Sequence, residues 1–241
     1  MVEISGTTLF FALLGGILPA LLWLWFWLRE DKARPEPRGM IFLSFVVGML
    51  VIPFAILLEK GVEILLEKEV IHFYFSGTVW FVFAAIEELL KYGAGYLFVL
   101  RRKSNDEPID GLIYMITIAL GFAALENALF LLDPLIDGGI IQTILTGNFR
   151  FLGATLLHTL ASAVVGASIA LGFYKTPGLK KLYVSIGLVL AIVLHATFNF
   201  FIINSNGEKL LLVFFFVWVG IIALILLFEK VKKLYNRDLI E

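Results

Sequence analysis

Three ionisable residues interrupt the apolar stretch AAIEELLKYGAG at spacings that place them on neighbouring faces of a helix. Glu87 and Lys91 are four residues apart and Glu88 and Lys91 are three apart, so one lysine can neutralise either carboxylate. Consecutive helical residues project about 100° apart. One glutamate can therefore line a cavity while the other turns toward a neighbouring helix or toward Lys91.

Five more polar residues of chemically useful types lie in later apolar stretches. They are Glu126 and Asn127 in GFAALENALF, His158 in LLHTLASAVVG, and His195 and Asn199 in LHATFNF. His195 and Asn199 share a helix face, and an amide one turn after a histidine suits stabilisation of an oxyanion. The third histidine, His72, stands at the edge of an apolar stretch, and we expect it to be hydrated and without a special role.

Carboxylates and imidazoles without a serine or cysteine nucleophile motif predict that water is the nucleophile. The chain has no cysteine, which excludes thiolate chemistry and disulfides. In one interpretation a desolvated glutamate is the general base and histidine assists. In the other, Glu88, Glu126, His158 and His195 hold a zinc ion with water in the open position. Both predict hydrolysis of an amide within the membrane, and we leave the metal open.

The elements that position these residues follow from the composition. Of the 241 residues, 60% are hydrophobic and only 16% are charged, and 23 are phenylalanine. A typical soluble domain has about 25% charged residues. No soluble core of this length could bury so much apolar surface, so a water-soluble globular enzyme is excluded. The sequence predicts an all-α polytopic membrane protein.

Seven segments are long and apolar enough to cross a bilayer as helices, which takes about 20 residues. They are residues 4–28, 39–58, 74–100, 111–132, 150–174, 182–203 and 209–228. The first is too long for a signal-peptide core, so we expect it to be a retained span. Residues 59–70 are predicted to be either an amphipathic extension on the outer face or the solvated end of the second span. We expect residues 1–241 to form one transmembrane domain, a single bundle.

The distribution of positive charge predicts the orientation. Fourteen of the 19 lysines and arginines fall in the first, third and fifth loops and in the tail. The positive-inside rule then places the N-terminus outside and the C-terminus in the cytoplasm. With a rise of 1.5 Å per residue, Glu87, Glu126, His158 and His195 all lie about 20–24 Å from the inner boundary. Four ionisable groups on four helices therefore converge on one layer.

Charge at bilayer depth is costly and by default indicates function. The structural alternative is a polar network that only fixes helix packing, as in a non-catalytic membrane scaffold or assembly protein. An ion-coupled transporter is the rival functional interpretation, but it predicts inverted repeats and broken helices at the midplane, and the sequence has neither.

At these residues the sequence resembles the PrsW family of intramembrane proteases, relatives of the type II CAAX prenyl proteases. The resemblance covers about residues 75–203 and rests on motifs in family order. These are Glu87-Glu88-x-x-Lys91, Pro108-Ile-Asp110-Gly111, Phe122-x-x-x-Glu126-Asn127, then His158 and His195-x-x-x-Asn199. Each motif alone is weak, but together, in order and mostly inside predicted spans, they are specific.

The resemblance implies cleavage of a membrane-anchored protein, of site-one type and with an anti-sigma factor as one possible substrate. By analogy, Glu87 or Glu88 would be the base, Glu126 and His158 would activate water, and His195 and Asn199 would stabilise the oxyanion. Lys91 and Asn127 would support the site. The expected partners are a membrane-anchored substrate and the lipid bilayer, without nucleic acid, and the expected location is a prokaryotic plasma membrane.

Overall fold

The computed structural model describes residues 4–30, 34–73, 77–204 and 209–237, and it leaves out the side chains of 203–204 and 235–237. Eight α-helices follow in chain order, with no strand among the described residues. They are α1 (Gly6–Leu28), α2 (Arg38–Glu67), α3 (Gly77–Gly95), α4 (Pro108–Ile136), α5 (Ile140–Phe149), α6 (Thr155–Gly172), α7 (Pro177–Asn204) and α8 (Leu210–Arg237). The predicted all-α class is confirmed.

Two π-helical turns join some of these helices into longer runs. Tyr96–Leu100 continues α3, and Arg150–Ala154 connects α5 to α6. The described chain therefore forms seven helical runs, of which Ile140–Gly172 is one. A π turn accommodates one extra residue in a helix and often lies at a functional site.

Six of the runs are long and apolar enough to cross a membrane. The seventh, α3 with its π turn, carries Glu87, Glu88 and Lys91. Because of these charges, the prediction that residues 74–100 span the bilayer stays a prediction, as does the orientation of the termini. Residues 74–76 of that segment, and Lys32 of the first basic loop, lie outside the described residues.

Several helices extend beyond the bounds expected from hydropathy. The fifth predicted span begins at Ile140 rather than at residue 150, because polar residues in α5 such as Gln142 and Asn148 hide its helical character in the sequence. α2 continues without interruption to Glu67. Residues 59–67 are therefore a helical extension of the second span, and most of residues 60–70 are exposed or half-buried.

α4 lies at the centre of the bundle and packs against α1, α2 and α6. It is buried on almost every side between Pro108 and Ala124. Glycine permits its close approach to α2, because a Cβ at Gly48 would overlap the carbonyl oxygen of Ile118 and one at Gly121 would overlap that of Phe45. Small residues at such crossings allow membrane helices to pack closely.

The start of α4 explains the Pro108-Ile-Asp110-Gly111 motif structurally. Proline suits the first turn of a helix because its missing N–H is not needed there. The buried Asp110 carboxylate accepts hydrogen bonds from the backbone N–H groups of Asp106 (2.8 Å) and Glu107 (2.6 Å). The motif therefore fixes where α4 begins, and with it the side of the helix on which Phe122 and Glu126 lie.

Candidate active site

α3 contributes three buried charged side chains to the interior. Glu87 is 7% exposed, Glu88 1% and Lys91 0%. Glu87 lines a cavity of about 620 Å³, and Glu88 is absent from the lining. The expected division, with one glutamate in a cavity and the other turned to its neighbours, is confirmed.

Glu88 is fully engaged by residues of three helices. Its Oε1 accepts a hydrogen bond from Lys91 Nζ at 2.7 Å and lies 2.9 Å from His195 Nδ1, and its Oε2 accepts from Ser162 Oγ at 3.3 Å. A carboxylate is only an acceptor, so His195 Nδ1 carries the proton. In the neutral imidazole, Nε2 then keeps its lone pair.

The other imidazole has the opposite tautomer for the same reason. Lys91 Nζ lies 3.0 Å from His158 Nδ1, and an ammonium can only donate. Nδ1 of His158 is therefore the acceptor, and its Nε2–H donates to Glu126 Oε2 at 3.0 Å. The two rings meet edge to face, with centroids 5.0 Å apart, so two carboxylate–histidine pairs lie side by side.

Arg150, the first residue of the fifth predicted span, completes the second pair. Its guanidinium bonds Glu126, donates from Nε to Asn127 Oδ1 at 2.6 Å and lies 3.8 Å from the ring centroid of Phe130. Asn127 in turn donates to Thr155 Oγ1 at 2.8 Å. The signal in the sequence is a cation eight residues before His158. A span that begins at residue 150 places this cation at a helix end, whereas the structure places it inside the helical run Ile140–Gly172.

One oxygen in this network has no hydrogen-bond partner. Oε2 of Glu87 is buried, and it lies 3.6 Å from Lys91 Nζ, 3.9 Å from His158 Nδ1 and 4.0 Å from His195 Nε2. A buried acceptor without a partner costs roughly 1–3 kcal/mol. A proton donor supplied from the cavity, such as water, would remove that cost.

The same place suits a divalent cation. Glu87, His158 and His195 each offer a ligand atom within 4.8 Å of the others, and two imidazoles with one carboxylate are a usual catalytic zinc set. This set differs from the four residues considered from the sequence. Glu88 and Glu126 lie outside it, and both are engaged by ion pairs or hydrogen bonds with Lys91, His195, Arg150 and His158. To serve as a ligand, His158 Nδ1 would have to give up its hydrogen bond from Lys91.

The remaining predicted residues fall into two groups. Asn199 is half-buried on the cavity wall, one turn after His195. Asn127 is buried behind the wall and holds Arg150. His72 is exposed in the turn after α2, as predicted. Glu59 on α2 also lines the cavity, although the sequence indicated only the end of a helix there.

Comparison with known proteins identifies relatives over most of the chain. The profile of the family described as "PrsW family intramembrane metalloprotease" matches residues 36–227. A Protease PrsW of Oceanobacillus iheyensis is 29% identical over 210 residues, 87% of this chain and 91% of the relative. The Protease PrsW of Bacillus subtilis is 25% identical over 232 residues, 94% of this chain and 96% of the relative. No solved structure matches the chain.

Proposed function

The chain belongs to the PrsW family of intramembrane proteases, as its motifs predicted, and on that premise we propose that it is an endopeptidase that cleaves a membrane-anchored protein with water as the nucleophile. The observation that carries the proposal is Glu87 on the wall of the cavity, whose buried Oε2 has no hydrogen-bond partner. That oxygen faces the imidazoles of His158 and His195.

In the proposed reaction, the Glu87 carboxylate accepts a proton from water as the water oxygen attacks the scissile carbonyl carbon. His195 Nε2, which has a free lone pair, accepts the second hydrogen bond of that water and orients it. The C–N bond then breaks, and the carboxyl group of Glu87 returns the proton to the leaving amine. The ionised Glu87 is thereby regenerated.

The tautomers suggest a revision of one role implied by the resemblance. With Nδ1–H donating to Glu88, neutral His195 has no proton on Nε2 to offer an oxyanion. We therefore propose that Asn199 Nδ2 is the oxyanion donor and that His195 acts on the water. Glu88 and Glu126 are positioning residues, each of which orients one imidazole.

A divalent cation such as zinc, held by Glu87, His158 and His195, would polarise the scissile carbonyl as a Lewis acid. In that form Glu88 would still orient His195 through Nδ1, and Arg150 would still hold Glu126. Metal content of active purified protein, together with chelation and zinc add-back, tests this form. Activity that survives complete chelation would contradict it.

Glu87→Gln tests the proposal directly. We expect this change to lower cleavage of a membrane-anchored reporter by at least about 100-fold, because general-base contributions are commonly of that size or larger. The matched control is Glu63→Gln on the exposed end of α2, which should leave cleavage unchanged. Full activity of Glu87→Gln would overturn the proposal. If the chain is a non-catalytic scaffold, neither the wild-type protein nor any variant should cleave the reporter.

We also propose that residues 1–241 form one transmembrane domain in a prokaryotic plasma membrane, with the N-terminus outside. The support is the contiguous packing of all described helices around α4 and α6 and the basic residues of the odd-numbered loops. An anti-sigma factor is one substrate of this class.

A further inference from the structure

The cavity extends from the catalytic layer toward one end of the bundle. On α3 it is lined by Trp80, seven residues before Glu87, and on α4 by Asp133, seven residues after Glu126. Seven residues correspond to about 10 Å along a helix. Because α3 and α4 are consecutive and run in opposite directions, both displacements point to the same end. We name the part lined by Glu59, Trp80, Asp133 and Phe149 the distal compartment.

Glu59 enters the distal compartment as the last residue of a stripe along α2. Ile52, Ala55, Ile56 and Glu59 all line the cavity at helical spacing. Oε1 of Glu59 is buried and has no hydrogen-bond partner. Among the described residues, no cation lies within ion-pair distance of Glu59 or of the exposed Asp133.

Carboxyl groups outnumber basic side chains in the lining. Its charged members other than histidine are four carboxylates, on Glu59, Glu87, Glu126 and Asp133, and one cation, Arg150. Arg150 is already paired with Glu126 and Asn127. Glu87, at the inner end of the same cavity, has a second oxygen without a hydrogen-bond partner. A cationic group in the distal compartment would donate to Glu59 and Asp133 and offset the carboxyl groups of the lining.

Aromatic rings share the lining with these carboxyl groups and favour an organic cation. The Arg150 guanidinium stacks at 3.8 Å on Phe130 in this wall, and Trp80 and Phe149 line the compartment beside it. A guanidinium or ammonium over an aromatic face gains stabilisation beyond its ion pair. A long side chain with an apolar stem fits such a surface better than a bare metal ion does.

We propose that the distal compartment binds a lysine or arginine side chain of the substrate, and that Glu59 is the residue that selects it. This specificity rests on the proposed protease function. An extended chain advances about 3.3 Å per residue. The 10 Å between the catalytic layer and the compartment therefore places the basic residue about three positions from the scissile bond.

The test uses synthetic membrane-anchored peptides with one apolar segment of about 20 residues and a quenched fluorescent cleavage region. Lysine is scanned through that region, and matched peptides carry glutamine or glutamate at the same position. We expect wild-type kcat/KM to favour lysine over glutamine about tenfold at one position, the factor that one charge-assisted hydrogen bond supplies. Glu59→Gln should reduce that ratio to within about twofold, and Glu59→Lys should favour the glutamate peptide.

Glu63→Gln is the matched control, one turn further along α2 and exposed, and it should retain the wild-type ratio. Retention of the lysine preference in Glu59→Gln would overturn the proposal. An equal loss on all three peptides would do the same, because it would mean that Glu59 acts on structure or chemistry rather than on selection. A fall in bound zinc in Glu59→Gln without a change in the lysine ratio would assign the site to a metal ion instead.

Peptide binding separates this proposal from the proposed function. Fluorescence anisotropy measures the affinity of each peptide for Glu87→Gln and for Glu87→Gln/Glu59→Gln, neither of which needs to cleave. Tighter binding of the lysine peptide that depends on Glu59 supports the compartment even if no peptide is cut. Equal binding of the lysine and glutamine peptides to Glu87→Gln would overturn it, whatever the wild-type protein cleaves.

Discussion

At the scale of the residue, the two neighbouring glutamates have different environments, and we expect different effects from their substitution. Glu88 has all its contacts inside the protein, whereas Glu87 lines the cavity and has one oxygen without a hydrogen-bond partner. Orienting groups of this kind change activity by about 10- to 100-fold in metal sites, and we expect a similar size here. Removal of Glu88 also leaves the buried Lys91 ammonium without its closest partner.

Glu88→Gln should therefore lower both stability and turnover. Removing one partner of a buried ion pair costs about 3–5 kcal/mol. The variant should therefore unfold in detergent at a clearly lower temperature than the wild-type protein. The double change Glu88→Gln/Lys91→Met should recover much of the stability but not kcat, because an amide can present either its oxygen or its NH2 group to Nδ1, and the tautomer of His195 is then no longer fixed. Recovery of full kcat in the double variant would show that Glu88 acts only on stability.

At this scale, part of the candidate site could be predicted from the sequence. The convergence of Glu87, Glu126, His158 and His195 follows from topology and helical rise alone, and the contacts confirm it. Which glutamate faces the cavity does not follow, because two consecutive residues differ only in the rotation of α3, and packing on α2 and α7 sets that rotation. The tautomers were equally inaccessible, since each depends on a partner from another helix.

At the scale of the element, the π turn Arg150–Ala154 sets the angular relation between Arg150 and His158. Deleting Leu152 would convert the turn to α-helix and rotate everything before it by about 100° relative to α6. Arg150 would then leave Glu126 and Asn127. We expect loss of reporter cleavage by at least about tenfold, comparable to removal of a supporting contact.

Deletion of Ile141 is the control for that experiment. Ile141 is 77% exposed in α5 and precedes Arg150, so its removal keeps the register between Arg150 and His158. Cleavage by this protein should stay close to wild type. If both deletions abolish cleavage equally, the length of the helical run matters rather than the π turn.

The close crossing of α2 and α4 leads to a second prediction, on the stability of glycine variants. Gly48→Ala would force a methyl group against the carbonyl of Ile118, and overpacking of this kind costs about 1–3 kcal/mol. Gly61→Ala lies on the same helix with nothing near its Cβ and should be neutral or stabilising. Thermal unfolding of the two proteins checks the difference, and equal unfolding temperatures would contradict the close approach.

At the scale of the element, the predicted start of one helical run is wrong. Hydropathy locates apolar stretches, but it misplaces helix ends where polar residues remain helical, as in α5. The predicted start leaves Arg150 at the end of a span, although this residue lies inside the run Ile140–Gly172. The end of α2 was predicted to be helical, and α2 does continue to Glu67, but hydropathy does not indicate that Glu59 lines the cavity.

At the scale of the whole molecule, the orientation can be tested because the chain has no cysteine. Lys68→Cys and Asp106→Cys place single thiols on exposed residues at opposite ends of the bundle. The positive-inside rule predicts that an impermeant maleimide labels Lys68→Cys in intact cells and Asp106→Cys only after permeabilisation. The reverse pattern would invert the topology and would put the distal compartment on the cytoplasmic side.

The central position of the polar layer has a consequence for biosynthesis. Its members come from α3, α4, α6 and α7, so the growing polypeptide has no complete catalytic site until residue 195 has left the ribosome and entered the bilayer. Under the proposed function, a nascent chain that stalls before His195 would lack part of this site and could not cut its neighbours. The order of synthesis then acts as a built-in safeguard.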